Sequence, residues 1–162
     1  YIGDLPQKNT FCTSWADFFV HQRLAPVLQQ IIDKKMIDTL TQSAFFALFD
    51  RMDQLFPCEA PSLLHGDLWN GNVICNAKQQ GVLIDPAVYY GHREMDIAMT
   101  LLFGGFHPSF YTAYQARFPL AEGWQKRSTL CNLYPLMVHL LLFGRSYLPQ
   151  LLQHLQQLKT TI

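Results

Sequence analysis

Apolar residues recur at helical spacing over much of the chain. Phe18, Phe19, Leu24, Val27, Leu28, Ile31 and Ile32 form one such stripe. Thr13 or Ser14 can cap it, with Asp17 in the first turn. Pro26 falls inside the stripe and predicts a kink or a division. Leu40, Ala44, Phe45, Leu48, Phe49 and Met52 form a second stripe, predicting a helix from about residue 38 to 56, stopped by Pro57. Then the pattern changes. Ser62-Leu63-Leu64, Val73-Ile74-Cys75 and Val82-Leu83-Ile84 read as short strands, the last two around a polar turn, as in a hairpin. Gly91 closes the loop that follows. Helical spacing returns over residues 95–103 and stops at Gly104-Gly105. Pro108 suits the first position of a helix carrying Phe110, Tyr111, Tyr114 and Phe118. A longer helix is predicted over 122–143, kinked near Pro135 and ended by Gly144, and a Gln-rich amphipathic one over 148–158. The sum is a mainly α fold with a small β-hairpin insert, and the polar residues of chemical interest gather on that insert.

Composition adds to this picture. The 162 residues predict one domain with a real core. Charged residues make up 15%, against about 25% in ordinary domains. Hydrophobic residues make up 49%. Part of the surface is therefore expected to lie under a partner chain or a further domain. Twelve cationic and twelve anionic side chains cancel, which argues against nucleic acid as a partner. The longest apolar run, residues 133–143, is broken by Pro135 and His139 and is shorter than the roughly 18 residues of a membrane helix. No signal-peptide pattern opens the chain. Cys12, Cys58, Cys75 and Cys131 are widely spaced and read as reduced, mostly buried thiols of a cytoplasmic protein.

The chemistry concentrates in His65-Gly66-Asp67-Leu68-Trp69-Asn70-Gly71-Asn72, between a strand and the hairpin. Asp67 and Asn72 are five residues apart, and Asp85 ends the second hairpin strand. Phosphoryl transfer from ATP needs one carboxylate to orient the attacking hydroxyl and two oxygen ligands to hold Mg²⁺ against the phosphates. The protein-kinase pattern H-R-D-L-x-x-x-N has the same offset, and Asp85-Pro86-Ala87 stands where D-F-G would stand. A metal-dependent hydrolase on His65, Asp67 and Asp85 is the alternative chemistry. It lacks further His residues at metal-ligand spacing. His92, His107, His139 and His154 read as structural.

HGDLWNGN followed by IDPAVYYGHREMDIAMTLLFGGF resembles the fructosamine kinase (ketosamine kinase) family, of the aminoglycoside-phosphotransferase, protein-kinase-like superfamily. NTFCTSWADFFVHQRLAPVL and LYPLMVHLLLFGRSY resemble further family stretches, so the resemblance covers nearly the whole chain. It implies an ATP-dependent kinase that phosphorylates a sugar hydroxyl of a fructosamine or ketosamine, in deglycation repair. Asp67 is implied as catalytic base and Asn72 and Asp85 as Mg²⁺ ligands. His65 and Asp96 would support the catalytic loop, and Trp69 would line the sugar site. The resemblance assigns no role to Glu94. Arg93 reads more as a solvated or ion-paired side chain than as a phosphate ligand. A Gly-rich loop and a V-A-I-K-like strand are not found here. Residues 1–162 are thus expected to form the C-terminal lobe, with catalytic and metal-binding loops at 62–96 and the N-terminal nucleotide-binding lobe absent. Such a lobe alone is expected to be inactive and to self-associate through its apolar face. A partner-binding module of the same fold is the second reading.

Overall fold

The computed structural model describes residues 1–161. The chain divides into two compact units: residues 1–59 with 132–161, and residues 60–131.

The first unit is helical. Ser14 caps α1 (Trp15–Phe18), its side chain accepting the Asp17 N–H at 3.0 Å. The helical path continues without a break through Phe19–Leu24 into α2 (Ala25–Asp33). Phe19–Leu24 winds as a π-helix, and the Ala25 N–H reaches back to the Val20 carbonyl. This is how the chain accommodates Pro26, which has no N–H for the Gln22 carbonyl. Arg23 supplies the missing donor, Nη1 lying 3.0 Å from that carbonyl oxygen. Arg23 is wholly buried, and its guanidinium also donates to the Lys8 carbonyl and to Asn9 Oδ1, each at 2.7 Å. Asp38 caps α3 (Thr39–Phe49), accepting the Thr41 N–H. The helix predicted to reach residue 56 stops at Phe49. A 3₁₀ turn, Met52–Gln54, follows and still buries Met52.

α7 (Leu133–Phe143) packs on α2 and on α8 (Leu148–Thr161). The helix expected over 122–143 is two helices, parted at Asn132 rather than kinked at Pro135. Pro135 is the third residue of α7, where its missing N–H would have had no helical partner. Gly144, at φ +88°, ends α7.

Among the described residues, all the strands lie in the second unit. β1 (Ser62–Leu64) pairs antiparallel with β4 (Tyr89–Gly91), and β2 (Val73–Cys75) with β3 (Gly81–Leu83). The β2–β3 hairpin agrees with the sequence. β4 lies in the segment that the sequence predicts as loop, the one closed by Gly91. Leu63 opposes Tyr90 and Ile74 opposes Val82, and all four are exposed. α4 (Glu94–Leu102) packs on α6 (Trp124–Cys131), with α5 (Pro108–Arg117) between them in sequence. His107 caps α5 through its Nδ1, which accepts the Ser109 N–H.

All four cysteines are free. Only Cys131 is buried, and burial raises its thiol well above the ordinary value. Cys58 and Cys75 are exposed, against the expectation of mostly buried thiols, because they sit in a loop and on a two-stranded hairpin. Among the described residues no helix is long and apolar enough to cross a membrane.

Arg23→Ala strands two backbone carbonyls and one amide oxygen. It should lower unfolding stability by about 2–4 kcal/mol, the scale of unsatisfied buried polar groups. Arg23→Lys should recover little, because one ammonium group cannot span three acceptors held by a planar fork. Urea unfolding followed by circular dichroism measures both.

Candidate active site

The site is built within the second unit by the closure of β1 on β4. That pairing brings the loop leaving β1, residues 65–72, beside the loop entering β4, residues 84–88. The Ala87 N–H donates to the His65 carbonyl at 2.8 Å. His65 Nε2 lies 3.0 Å from the Ile84 carbonyl, and its Nδ1 accepts the Asp67 N–H at 3.3 Å. Both contacts suit one tautomer, with the proton on Nε2. Gly66 sits between the loops at φ +80°, and a Cβ there would fall 2.1 Å from the Ala87 carbonyl oxygen. No other residue fits this approach.

Asp96, in the first turn of α4, secures the start of the loop. Its Oδ2 accepts the His65 N–H at 2.7 Å and its Oδ1 the Gly66 N–H at 2.9 Å. Burial pushes the Asp96 carboxyl above its usual 3.8, against the pull of those two N–H groups and of His65; the Asp67 charge adds to the rise.

Asp67 is half-buried, and Asn72 is 6% exposed. Asn72 Nδ2 donates to the Asp67 carbonyl at 2.9 Å and to Asp67 Oδ2 at 3.0 Å. With its NH₂ so committed, Asn72 Oδ1 makes no hydrogen bond among the described residues. The Ile84 N–H donates to the Asn72 carbonyl at 3.0 Å, tying the turn before β2 to the residue before Asp85. Asp85 is exposed at φ +54°, a region that non-glycine residues rarely occupy. Its carboxylate has no hydrogen bond or ion pair among the described residues. Two hard oxygen donors, an amide and a carboxylate, are thus unengaged, and that donor set suits Mg²⁺. No group of three or more His, Cys, Asp or Glu side chains among the described residues is placed to hold a metal.

Trp69 is 38% exposed and meets the Phe103 ring edge-on, centroids 6.2 Å apart. Its indole lies over Gly71, where a Cβ would come within 2.3 Å of the ring.

Sequence reasoning missed what anchors α4. Arg93 is buried rather than solvated; it donates to the Phe118 and Pro119 carbonyls and lies over the Phe118 ring at 3.9 Å. Glu94, 2% exposed, takes both ends of a fork from Arg127 Nε and Nη2, at 2.8 and 2.7 Å. Two adjacent charged residues at the start of a helix, with an arginine two helices later, were the available signal.

Asp96→Asn turns one acceptor into an NH₂ group facing a backbone N–H, and should destabilise by about 1–3 kcal/mol. A raised carboxyl favours the fold in its protonated form. Its contribution is complete below pH 3.8 and is lost as pH climbs through the raised value. The stability gap between wild type and Asp96→Asn should therefore be widest in acid and narrow as pH rises; urea unfolding across a pH series measures it.

The profile of the fructosamine kinase family matches residues 1–161. The chain is 42% identical over 158 residues to an Enterococcus faecium protein named "probable ketoamine kinase", matching 96% of this chain and 57% of that one. It is 38% identical over 147 residues to mouse ketosamine-3-kinase, matching 90% of this chain and 47% of that one. A crystal structure from Thermobifida fusca, provisionally named fructosamine-3-kinase, superposes with a TM-score of 0.91 at 40% identity, over 97% of this chain and 55% of that one. The chain spans about half the length of the curated relatives it matches. Sequence, profile and fold agree that this chain belongs to the fructosamine kinase family.

Proposed function

We propose that this chain is the catalytic lobe of an ATP-dependent kinase that phosphorylates a sugar hydroxyl of a ketoamine, a sugar joined to an amine. The observation that carries the reading is the joined set Asp67, Asn72 and Asp85. Asn72 is bonded to Asp67, and its backbone is tied to the residue before Asp85.

In this reading Asp67 accepts the proton of the attacking hydroxyl. The Asn72 NH₂ orients Asp67 by donating to its Oδ2. Asn72 Oδ1 and the Asp85 carboxylate hold Mg²⁺, whose chemistry there is neutralisation of charge on the nucleotide phosphates. His65 and Asp96 are positioning residues, acting through the backbone of the loop. Trp69 offers an aromatic face to the C–H surface of the sugar. The grip on the nucleotide is assigned to the part of the relatives that this chain does not match. That part would also cover the exposed apolar residues of β1 to β4. The partner-binding alternative has nothing further in its favour, since the three polar residues are intact.

Activity is best measured with the chain joined to the unmatched part of the Enterococcus relative. Asp67→Asn should lower kcat about 100-fold or more, the scale of general-base catalysis, with the KM for ATP unchanged. Loss of ATP affinity with turnover intact would contradict the role. Asp85→Ala should abolish Mg²⁺-dependent turnover, and Asn72→Ala should weaken it with partial recovery in excess Mg²⁺. An unaltered Mg²⁺ dependence in both would remove the metal assignment.

For the 162-residue chain alone, self-association in light scattering and weak binding of Mg-ATP in calorimetry are expected. A monodisperse monomer binding ATP at micromolar concentration would show that the nucleotide site is complete without the unmatched part.

A further inference from the structure

Asn70 lies between the candidate base and the candidate metal ligand, beside Trp69, and nothing above gives it a task. Its side chain is exposed, yet Nδ2 donates to the Gly105 carbonyl at only 2.6 Å. Gly105 belongs to the connection between α4 and α5. Gly104 and Gly105 both take positive φ, at +93° and +72°, and no atom lies within 4 Å of where either Cβ would stand. The two glycines are not crowded into place, and Phe106 is tied to α5, its N–H donating to the Tyr111 hydroxyl at 3.1 Å and its ring meeting that of Phe110. Two contacts fasten it to the loop of Asp67: the Asn70 hydrogen bond and the Trp69–Phe103 ring contact. The half-exposed indole and the glycine backbone therefore form a surface next to Asp67, kept together from the catalytic-loop side.

We propose that Asn70 is a positioning residue for the acceptor, holding the 103–106 connection against Trp69 so that the two form one wall for the sugar-amine substrate. The proposal rests on the ketoamine kinase reading. Asn70 touches neither nucleotide nor metal in it. The effect should fall on the acceptor alone. An aromatic ring beside bare glycine backbone suits a ligand with a C–H face and a long substituent, as a sugar carried on an alkylamine has.

Two variants test it. Asn70→Ala removes the donor, and Asn70→Asp keeps the shape but sets a carboxylate against the Gly105 carbonyl. In the joined protein, both should raise the KM for a fructosyl-amine about 3–10-fold, the scale of one net hydrogen bond. The KM for ATP should not move, and Asn70→Ser, which restores a donor, should recover part of the loss. On the chain itself, chymotrypsin should cut after Phe103 or Phe106 faster in both variants, with the unfolding midpoint little changed. Equal cleavage rates, or acceptor and ATP constants that shift together, would overturn the proposal. A wild type that phosphorylates no ketoamine would overturn the function reading, and the cleavage rates would still decide the tether.

Discussion

One half-buried carboxylate sets the geometry of the candidate site. Asp96 accepts two consecutive backbone N–H groups, His65 and Gly66, where the chain turns out of β1. Those N–H groups would otherwise be unsatisfied at the edge of a two-stranded sheet. Desolvation opposes the arrangement and the two hydrogen bonds favour it, which is why the carboxyl is shifted upward and still holds the loop. Once His65 and Gly66 are fixed, the remaining contacts follow in order. The His65 ring reaches Ile84, its carbonyl reaches Ala87, and the loops of Asp67 and Asp85 lie side by side.

Asp96 in turn must be held. Arg93 and Glu94, on the same turn of chain, fasten the start of α4 to segment 118–127 through two carbonyls and a forked ion pair. A buried ion pair adds little net stability, but losing one partner leaves a stranded charge, so its geometry is enforced. The second unit thus transmits order from α6 to α4 to the loop by hydrogen bonds of about 2.7–2.9 Å rather than by apolar packing alone. The exposed faces of its two small sheets carry none of this load and are left to whatever covers them.

Much of this was legible in the sequence, for identifiable reasons. The hairpin was readable because two apolar triplets flank a polar turn. The candidate residues stand out in the sequence because their spacing repeats a known phosphoryl-transfer pattern, and the structure ties Asn72 to Asp67 and to the residue before Asp85. β4 was not readable: three residues ending in glycine give no periodicity, and the strand exists only because β1 pairs with it. The sequence predicts a kink or a division at Pro26, and a π-helix, Phe19–Leu24, parts α1 from α2 there; the Arg23 fork was not legible, because two of its acceptors, on residues 8 and 9, lie outside the stripe. Glu94 carries no role in the sequence and Arg93 reads only as solvated or ion-paired, because a one-dimensional pattern cannot show the partners that bury them.

The central claim is that Asp67 directs a phosphoryl group onto a sugar hydroxyl rather than onto water. Phosphorus NMR of the joined protein with Mg-ATP and a fructosyl-lysine derivative reads this directly. The expected spectrum shows ADP and a new phosphate monoester on the sugar in equal amounts, with the ester missing when the fructosyl-amine is left out. ADP with inorganic phosphate alone would contradict the account, because the site would then be delivering the group to water.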